Sequence, residues 1–142
     1  MADYLARVHV HFVWSTWRHL PFLTGDVEGV VHQATVRVAQ QRSCHVLAVG
    51  GVEDHVHLLV WLHPACSLAS LVSAVKTGSS RTVHESLHRP FMWQRGYGAF
   101  ALQPRSLDAV VGYVRDQRRR HDSGATIPVL ERAPDCAARV PP

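Results

Sequence analysis

Residues 55–61 read His-Val-His-Leu-Leu-Val-Trp, and this apolar run with two imidazoles constrains the fold more than any other segment. Side chains alternate along a β-strand, so His55 and His57 share one face and Val56 points to the other. Two neutral imidazoles on one face can bind one divalent metal ion. Leu59 and Trp61 share the histidine face, which is therefore too apolar to be fully solvated and should be covered by another element.

The order of hydrophobic patterns predicts an α+β fold. Alternating or apolar runs at residues 5–14, 45–49, 55–62 and 99–103 predict strands, and helical spacing predicts helices at 26–42 and after Ser67. The turn between the second and third strands is expected at Gly50-Gly51 with Glu53-Asp54, and Gly78 is expected to kink or shorten the second helix. The resulting order, β-α-β-β-α-β, is that of the ferredoxin-like split motif, an antiparallel sheet with two helices on one face.

The sequence also predicts a third helix, which is not part of this motif. Ser106 and Asp108 are expected to open it, and it is expected to run to about Arg120. It is the natural cover for the apolar face that carries the histidines.

Length and composition limit the other possibilities. The 142 residues fit one domain, predicted over residues 1–123, with an extended or disordered tail over 124–142. Because no apolar run approaches the ~20 residues needed to cross a bilayer, we expect a cytoplasmic protein without membrane contact. The three cysteines form no C-x-x-C pair and are expected to be reduced. A net charge of +4 is compatible with nucleic-acid binding but does not establish it.

Two residues of the third helix could complete a reactive site. Tyr113 and Gln117 are four residues apart and therefore lie on one helix face. If the helix docks on the histidine face, Gln117 can offer a carbonyl oxygen as a third metal ligand, in a set that suits Mg²⁺ or Mn²⁺. Tyr113 would then attack a phosphodiester, although its phenol has an ordinary pKa of about 10 and needs a base or the field of the metal. The sequence does not identify that base.

Commoner explanations exist for each of these residues taken alone. The His-x-His pattern occurs also at His9 and His11, which we expect to cover the sheet or to approach DNA. A lone tyrosine on a helix is more often a packing residue than a nucleophile. Tyr97 and Tyr4 are rival nucleophiles, but neither lies four residues from a potential ligand on a helix.

Several motifs in the right order resemble the HUH single-tyrosine transposases of small bacterial insertion sequences and of repetitive extragenic palindromes (REPs). The similarity covers about residues 4–121. It is carried by Asp54-His55-Val56-His57, by Trp93-Gln94-Arg95-Gly96-Tyr97-Gly98-Ala99-Phe100, by a lysine- and serine-bearing helix at 71–80, by Val13-Trp14-Ser15-Thr16 and by Tyr113-Val114-Arg115-Asp116-Gln117. Asp116 and Trp17 depart from the family, which usually has asparagine and often has lysine there.

The resemblance implies an HUH endonuclease and transposase that nicks single-stranded DNA with a divalent metal, Mg²⁺ or Mn²⁺. Tyr113 would form a covalent 5′-phosphotyrosine intermediate, and the metal would be held by His55, His57 and Gln117. Family members work as homodimers on DNA with hairpin or palindromic ends, often with the tyrosine helix contributed across the subunit interface, and the sequence leaves open whether Tyr113 acts in its own subunit or its partner's. Because the substrate is DNA, we expect a nucleoid-associated protein. Basic residues are predicted to contact the DNA backbone, namely Arg18, Lys76, Arg81, Arg95, Arg115, Arg118, Arg119 and Arg120.

Two other functions remain open on the sequence alone. A ferredoxin-like sheet with aromatic and basic residues can bind single-stranded nucleic acid without catalysis, through stacking and charge. A metal-dependent phosphoesterase that uses an activated water would cleave DNA without a covalent link to protein.

Overall fold

A four-stranded antiparallel sheet with helices on both faces forms the body of the computed structural model, which describes residues 5–133. The strands are β1 (His9–Ser15), β2 (His45–Val52), β3 (His55–Trp61) and β4 (Gly98–Leu102). The helices are α1 (Asp26–Gln41), α2 (Leu68–Leu87), α3 (Leu107–Arg115) and α4 (Gln117–Asp122). Short 3₁₀ turns lie at Trp17–His19, Pro104–Ser106 and Pro128–Leu130.

The strand order across the sheet is β2-β3-β1-β4, and every neighbouring pair is antiparallel. Helix α1 connects β1 to β2 across β3, and α2 connects β3 to β4 across β1. The predicted α+β class with a four-stranded antiparallel sheet is confirmed. This order places β1 and β3, which carry His11 and His57, in the centre of the sheet.

One face of the sheet packs on α1 and α2. Phe12, Trp14 and Leu58 are at most 1% exposed and belong to one apolar cluster with Val31 of α1 and Leu71 of α2. Their alternation along β1 and β3 sends every second side chain into this cluster. The main hydrophobic core therefore lies on the face opposite to the histidines.

The other face is covered by α3, as predicted. Val110 and Val114 of α3 pack with Leu59 of β3 and Ala48 of β2 in a second apolar cluster, in which none is more than 6% exposed. Burial of each larger side chain of this cluster, Leu59, Val110 and Val114, stabilises the folded state by roughly 1.5–3 kcal/mol. This docking brings the C-terminal helices to the face that carries His55 and His57.

The strand boundaries differ from the prediction by more than one residue at the end of β2 and at the start of β1. β2 continues through Gly50 and Gly51 to Val52, so the turn contains only Glu53 and Asp54. The two glycines serve close packing instead: a Cβ at Gly50 would overlap the carbonyl oxygen of Val114 in α3. β1 begins at His9 and not at Leu5, which is 85% exposed.

Helix α2 is longer than predicted. It begins after Ser67, whose Oγ accepts a hydrogen bond of 3.1 Å from the Ser70 N–H, as expected for an N-cap. It then continues without interruption through Gly78 to Leu87, so the predicted kink is wrong. A Cβ at Gly78 would lie 2.7 Å from Val38 Cγ2, which shows that this glycine allows α1 to approach.

The predicted third helix is two helices. Asp116 has φ −104° and ψ 21°, which separates α3 from α4. Aspartate is a weak helix former, and its carboxylate here accepts hydrogen bonds from Arg119 in the next turn. The break changes the direction of the chain between Tyr113 and His121.

The C-terminal residues that the structure describes lie against the sheet and α3. Residues 125–133, called the cover segment below, contain the turn Pro128–Leu130 and place Ile127 and Glu131 at the histidine face. The rest of the predicted tail, including Cys136, lies outside the described residues. Cys44 and Cys66 are free thiols. Among residues 5–133 no helix combines the length and apolar character that crossing a membrane requires.

The close approach at Gly50 gives a direct test of the docking of α3. We expect Gly50→Ala to destabilise the fold by roughly 1–3 kcal/mol, because the methyl group would push α3 away from the sheet. Gly112→Ala is the matched control, since a Cβ there meets nothing within 4 Å and alanine favours a helix. Urea unfolding measures both. Equal stability of Gly50→Ala and Gly112→Ala would contradict the close contact.

Candidate metal and tyrosine site

His55 and His57 lie side by side on the face of β3 that α3 and α4 cover. Their ring centroids are 5.1 Å apart. The His57 side chain is fully buried, whereas that of His55 is 13% exposed. The strand alternation that predicted this pairing is therefore observed, and it leaves His55 at the open side of the site.

Two further side chains complete a cluster of potential metal ligands. His121 comes from α4 and Glu131 from the cover segment, and one ligand atom of each lies within 4.8 Å of those of His55 and His57. Glu131 Oε1 is 2.6 Å from His121 Nε2, and its Oε2 is 2.7 Å from His57 Nε2. Three imidazoles thus surround one carboxylate.

Three buried atoms of this cluster make no well-directed hydrogen bond among residues 5–133. They are His55 Nε2, His57 Nε2 and Glu131 Oε2, although the last two lie 2.7 Å apart. Leaving buried polar atoms unpaired costs roughly 1–3 kcal/mol each, so native structures keep few of them. Imidazole nitrogens and a carboxylate oxygen this close together are a donor set that can bind a divalent cation.

The cluster lies in the wall of a cavity of about 480 Å³. Asp54 and His19 are among the side chains that line it, together with His55, His121 and Glu131. Its volume lies within the range of roughly 300–1,000 Å³ that is usual for ligand sites. A nucleotide-sized group can therefore reach the cluster from this side.

Charge within the cluster is balanced by its own residues. Burial acts to lower the pKa of His55. The carboxylates of Asp54, whose Oδ1 is 2.7 Å from His55 Nδ1, and of Glu131 act in the opposite direction. Their effect is larger and raises the pKa of His55 to about 9. Burial acts to raise the pKa of Glu131, and His55 and His57 outweigh it, so this pKa lies well below its usual range. Without a cation, a protonated His55 supplies the positive charge beside Glu131.

Gln117 lies behind the cluster. It is 1% exposed, its Nε2 donates to the Tyr113 carbonyl at 3.0 Å, and its Oε1 is 3.2 Å from His121 Nε2. Its amide oxygen thus faces His121. The direct role of Gln117 as a metal ligand stays a prediction.

Tyr113 is brought to the histidine pair by α3, within one chain. Its ring centroid is 6.0 Å from that of His57, and the guanidinium of Arg120 lies 5.1 Å from the ring centroid. Its hydroxyl accepts a hydrogen bond of 2.9 Å from the Ile127 N–H of the cover segment. Only 1% of Tyr113 is exposed, and burial raises the pKa of its phenol. The position suits a nucleophile, but the cover segment shields it.

Lys76, predicted to contact DNA, has partners within the chain. Its Nζ donates to the carbonyl oxygens of Gln94 at 2.8 Å and Gly96 at 2.6 Å, and burial lowers its pKa to about 8. It therefore anchors the loop before β4 to α2. DNA binding by Lys76 stays a prediction.

The Trp-Gln segment of the same loop packs into the structure. Trp93 Nε1 donates to Ser79 Oγ at 3.0 Å, and Gln94 Oε1 accepts a hydrogen bond of 3.1 Å from the Arg18 N–H. Tyr97, a rival nucleophile, packs against Phe12 in the main core cluster. Tyr4 lies outside the described residues.

Two of the basic residues near the C-terminus reach back to earlier elements. The guanidinium of Arg115 donates to the Leu47 carbonyl at 3.2 Å, and that of Arg118 binds Glu28 at 2.6 Å. These contacts hold α3 and α4 to β2 and α1. Both side chains remain exposed, so their predicted role in DNA binding stays open.

Arg119 and Arg120 pair with Asp116, at the break between the two helices. Arg120 is in addition stacked on Tyr113. Arg18, Arg81 and Arg95 are exposed, and Arg18 adopts a left-handed φ of 51° with its guanidinium over the Trp17 ring. The basic residues are thus spread over the molecule and do not form one patch.

Three site residues were missed by the sequence prediction or given another role. His121 follows the tyrosine motif that carries the resemblance, but it was given no role, although its helical spacing from Gln117 could have indicated one. Glu131 stands in a proline-rich segment where no pattern marks it. His11 was expected to cover the sheet or to approach DNA, but it is fully buried with its Nε2 2.8 Å from His57 Nδ1.

Comparisons with known proteins give the family of the chain and two similar folds. The family described as "Transposase IS200 like" matches residues 4–117. A protein assigned as a transposase, from Deinococcus radiodurans R1, has a similar structure with TM-score 0.67 and 21% identity, over 82% of this chain and 95% of that one. A REP-associated tyrosine transposase bound to a REP hairpin has TM-score 0.61 and 16% identity, over 89% of this chain and 76% of that one. No curated protein sequence matches significantly.

The charge balance of the cluster predicts a measurable change in the pKa of His55 when Glu131 is neutralised. In the metal-free protein, Glu131→Gln should lower the pKa of His55 from about 9 toward its ordinary 6.5, because an acceptor with a full negative charge is lost. NMR titration of the imidazole signals measures this pKa. Glu28→Gln is the control, since Glu28 pairs with Arg118 instead. An unchanged His55 pKa in Glu131→Gln would show that Glu131 does not lie beside His55 in solution.

Proposed function

The chain belongs to the IS200-like transposase family, and we propose that it cuts and rejoins single-stranded DNA through a covalent link to Tyr113, with a divalent cation at the histidine cluster. The observation that carries the proposal is the cluster of potential metal ligands, His55, His57, His121 and Glu131, next to a buried tyrosine. A packing role for Tyr113 would not explain why these ligand residues are gathered beside it.

His55, His57, His121 and Glu131 would hold the cation. A nitrogen and oxygen donor set of this kind accepts Mn²⁺ and, with added water, Mg²⁺. A bound cation would polarise a phosphodiester oxygen and offset the negative charge that develops on the phosphoryl group. When the cover segment moves to admit DNA and takes Glu131 with it, Gln117, whose oxygen faces His121, would replace Glu131 as a ligand.

Tyr113 would attack the phosphorus of the scissile phosphodiester. The bond from its phenolic oxygen to phosphorus forms while the bond from phosphorus to the 3′ oxygen breaks, which leaves a 5′-phosphotyrosine and a free 3′ hydroxyl. The phenolic proton is released to water, and the departing 3′ oxygen takes up a proton. Attack by a 3′ hydroxyl on the phosphotyrosine reverses the step and transfers the strand.

DNA can reach Tyr113 only if the cover segment moves. The Tyr113 hydroxyl is bound by the Ile127 N–H, and the side chain is 1% exposed. Residues 125–133 contain only one short 3₁₀ turn, so few regular hydrogen bonds oppose their displacement. The described arrangement is thus a closed one that precedes DNA binding.

The substrate we propose is single-stranded DNA with a hairpin or a palindromic end, such as the REP hairpin to which the similar tyrosine transposase is bound. The exposed Arg18, Arg81 and Arg95 are available for its phosphates. A homodimer would bind two such ends, and a protein that acts on bacterial DNA would work in the cytoplasm, at the nucleoid.

The covalent step predicts a protein–DNA adduct. With Mg²⁺ or Mn²⁺ and single-stranded hairpins taken from the DNA that flanks the gene, labelled at the 3′ end, wild type should give a labelled band in a denaturing gel. Tyr113→Phe should give none, because the ring stays in place and the nucleophile is lost. Tyr97→Phe is the control and should form the adduct. An adduct in Tyr113→Phe would exclude Tyr113 as the nucleophile.

If a cation at the histidine cluster is required, loss of one of its ligands should reduce DNA cleavage. His57→Ala should reduce cleavage by at least about 100-fold while DNA binding is largely kept, because a ligand is lost and the basic residues are not. Chelation of the cation should do the same to wild type. His45→Ala, in an exposed position on β2, is the control. Cleavage by wild type that survives chelation would contradict a metal-dependent reaction.

Gel assays with the same labelled DNA distinguish the two alternative functions, a non-catalytic binding module and a phosphoesterase. A binding module would shift the labelled DNA in a native gel, in a salt-sensitive way, without any cut strand. A phosphoesterase that uses water would release cut DNA without labelling the protein, and Tyr113→Phe would keep its activity.

A further inference from the structure

His11 is a buried histidine for which the proposed reaction has no use. It lies on the central strand β1, opposite Leu59 of β3 and Phe100 of β4, and none of its surface is exposed. A buried imidazole costs more than an apolar side chain of similar size unless its nitrogens are satisfied. Its presence in the middle of the sheet therefore needs a reason.

Its contact with His57 supplies that reason. His11 Nε2 lies 2.8 Å from His57 Nδ1, and the two rings are nearly parallel, with 14° between their planes. On β1 the residue opposite His57 is Val13, so His11 reaches it diagonally across the two strands. The other nitrogen of His11, Nδ1, is buried without a hydrogen-bond partner among the described residues.

The two histidines share one proton between the facing nitrogens. Two ring nitrogens 2.8 Å apart need one proton between them, since two facing lone pairs or two facing N–H groups would repel. If the shared proton is on His57 Nδ1, the Nε2 of His57 carries a lone pair directed at the cluster. If it is on His11 Nε2, the proton of His57 is on its own Nε2 and faces Glu131 Oε2, 2.7 Å away.

Only the first of these tautomers can bind a cation. A histidine that binds a metal donates its other ring N–H to an acceptor, which fixes its tautomer and orientation. We propose that His11 is the positioning residue of the cation site, accepting the Nδ1–H of His57 so that the His57 Nε2 lone pair points to the cation. This inference rests on the proposed cation site and adds a residue to it that does not touch the cation.

Two variants of His11 with nearly equal volume test this role. Glutamine places an amide oxygen near the former Nε2 position and can accept the Nδ1–H, whereas methionine fills the space and is at best a weak acceptor. Mn²⁺ binding, measured by electron paramagnetic resonance without DNA, should be 10–100-fold weaker in His11→Met than in wild type. His11→Gln should restore most of the affinity.

A second measurement on wild type needs no substitution. The ¹⁵N chemical shifts of the His57 ring, recorded with saturating Mg²⁺, should show the proton on Nδ1. A proton on His57 Nε2 in that state would overturn the proposal, whether or not His11→Met folds. The proposal would also be overturned if His11→Met bound Mn²⁺ as tightly as wild type, or if His11→Gln bound Mn²⁺ as weakly as His11→Met. Failure of wild type to bind Mn²⁺ would remove the cation site and this inference together.

Discussion

The docking of α3 on the sheet is the contact on which the rest of the site depends. Val110 and Val114 cover Leu59, and the absence of a side chain at Gly50 lets the helix backbone lie against β2. This close contact sets the distance between Tyr113 and His57, whose ring centroids are 6.0 Å apart. Tyr113 and the imidazole pair are thus positioned by apolar packing, and no polar contact between them is needed to hold them in place.

Electrostatics then determine what the site can hold. Three imidazoles and one carboxylate lie within 4.8 Å of one another, mostly out of contact with water. Without a cation, His55 is held protonated by Asp54 and Glu131, and it provides the charge that Glu131 requires. A bound divalent cation would take over that charge and use the unpartnered atoms of the cluster. The same carboxylate therefore links the state of the cation site to the position of the cover segment over Tyr113.

Local patterns predicted the parts of this site that lie within single elements. The alternation in β3 placed His55 beside His57, and the spacing in α3 and α4 placed Tyr113 near Gln117. Contacts between distant residues were not predictable: Glu131 meets His57 across 74 positions of the chain, and His11 meets it across 46. Gly50 and Gly78 were interpreted as a turn and a kink because glycine breaks local structure, but both are required by close packing.

Mass spectrometry of the protein–DNA adduct tests the central claim most directly. Wild type, single-stranded hairpin DNA and Mg²⁺ are incubated, the DNA is digested, and tryptic peptides are analysed. The peptide of residues 106–115, which contains Tyr113, should carry nucleotides attached through a 5′ phosphate, and only when the cation is present. Nucleotides on a peptide with Tyr97 or Tyr4, or cut DNA with no modified peptide, would contradict the claim that Tyr113 is the nucleophile of a cation-dependent strand transfer.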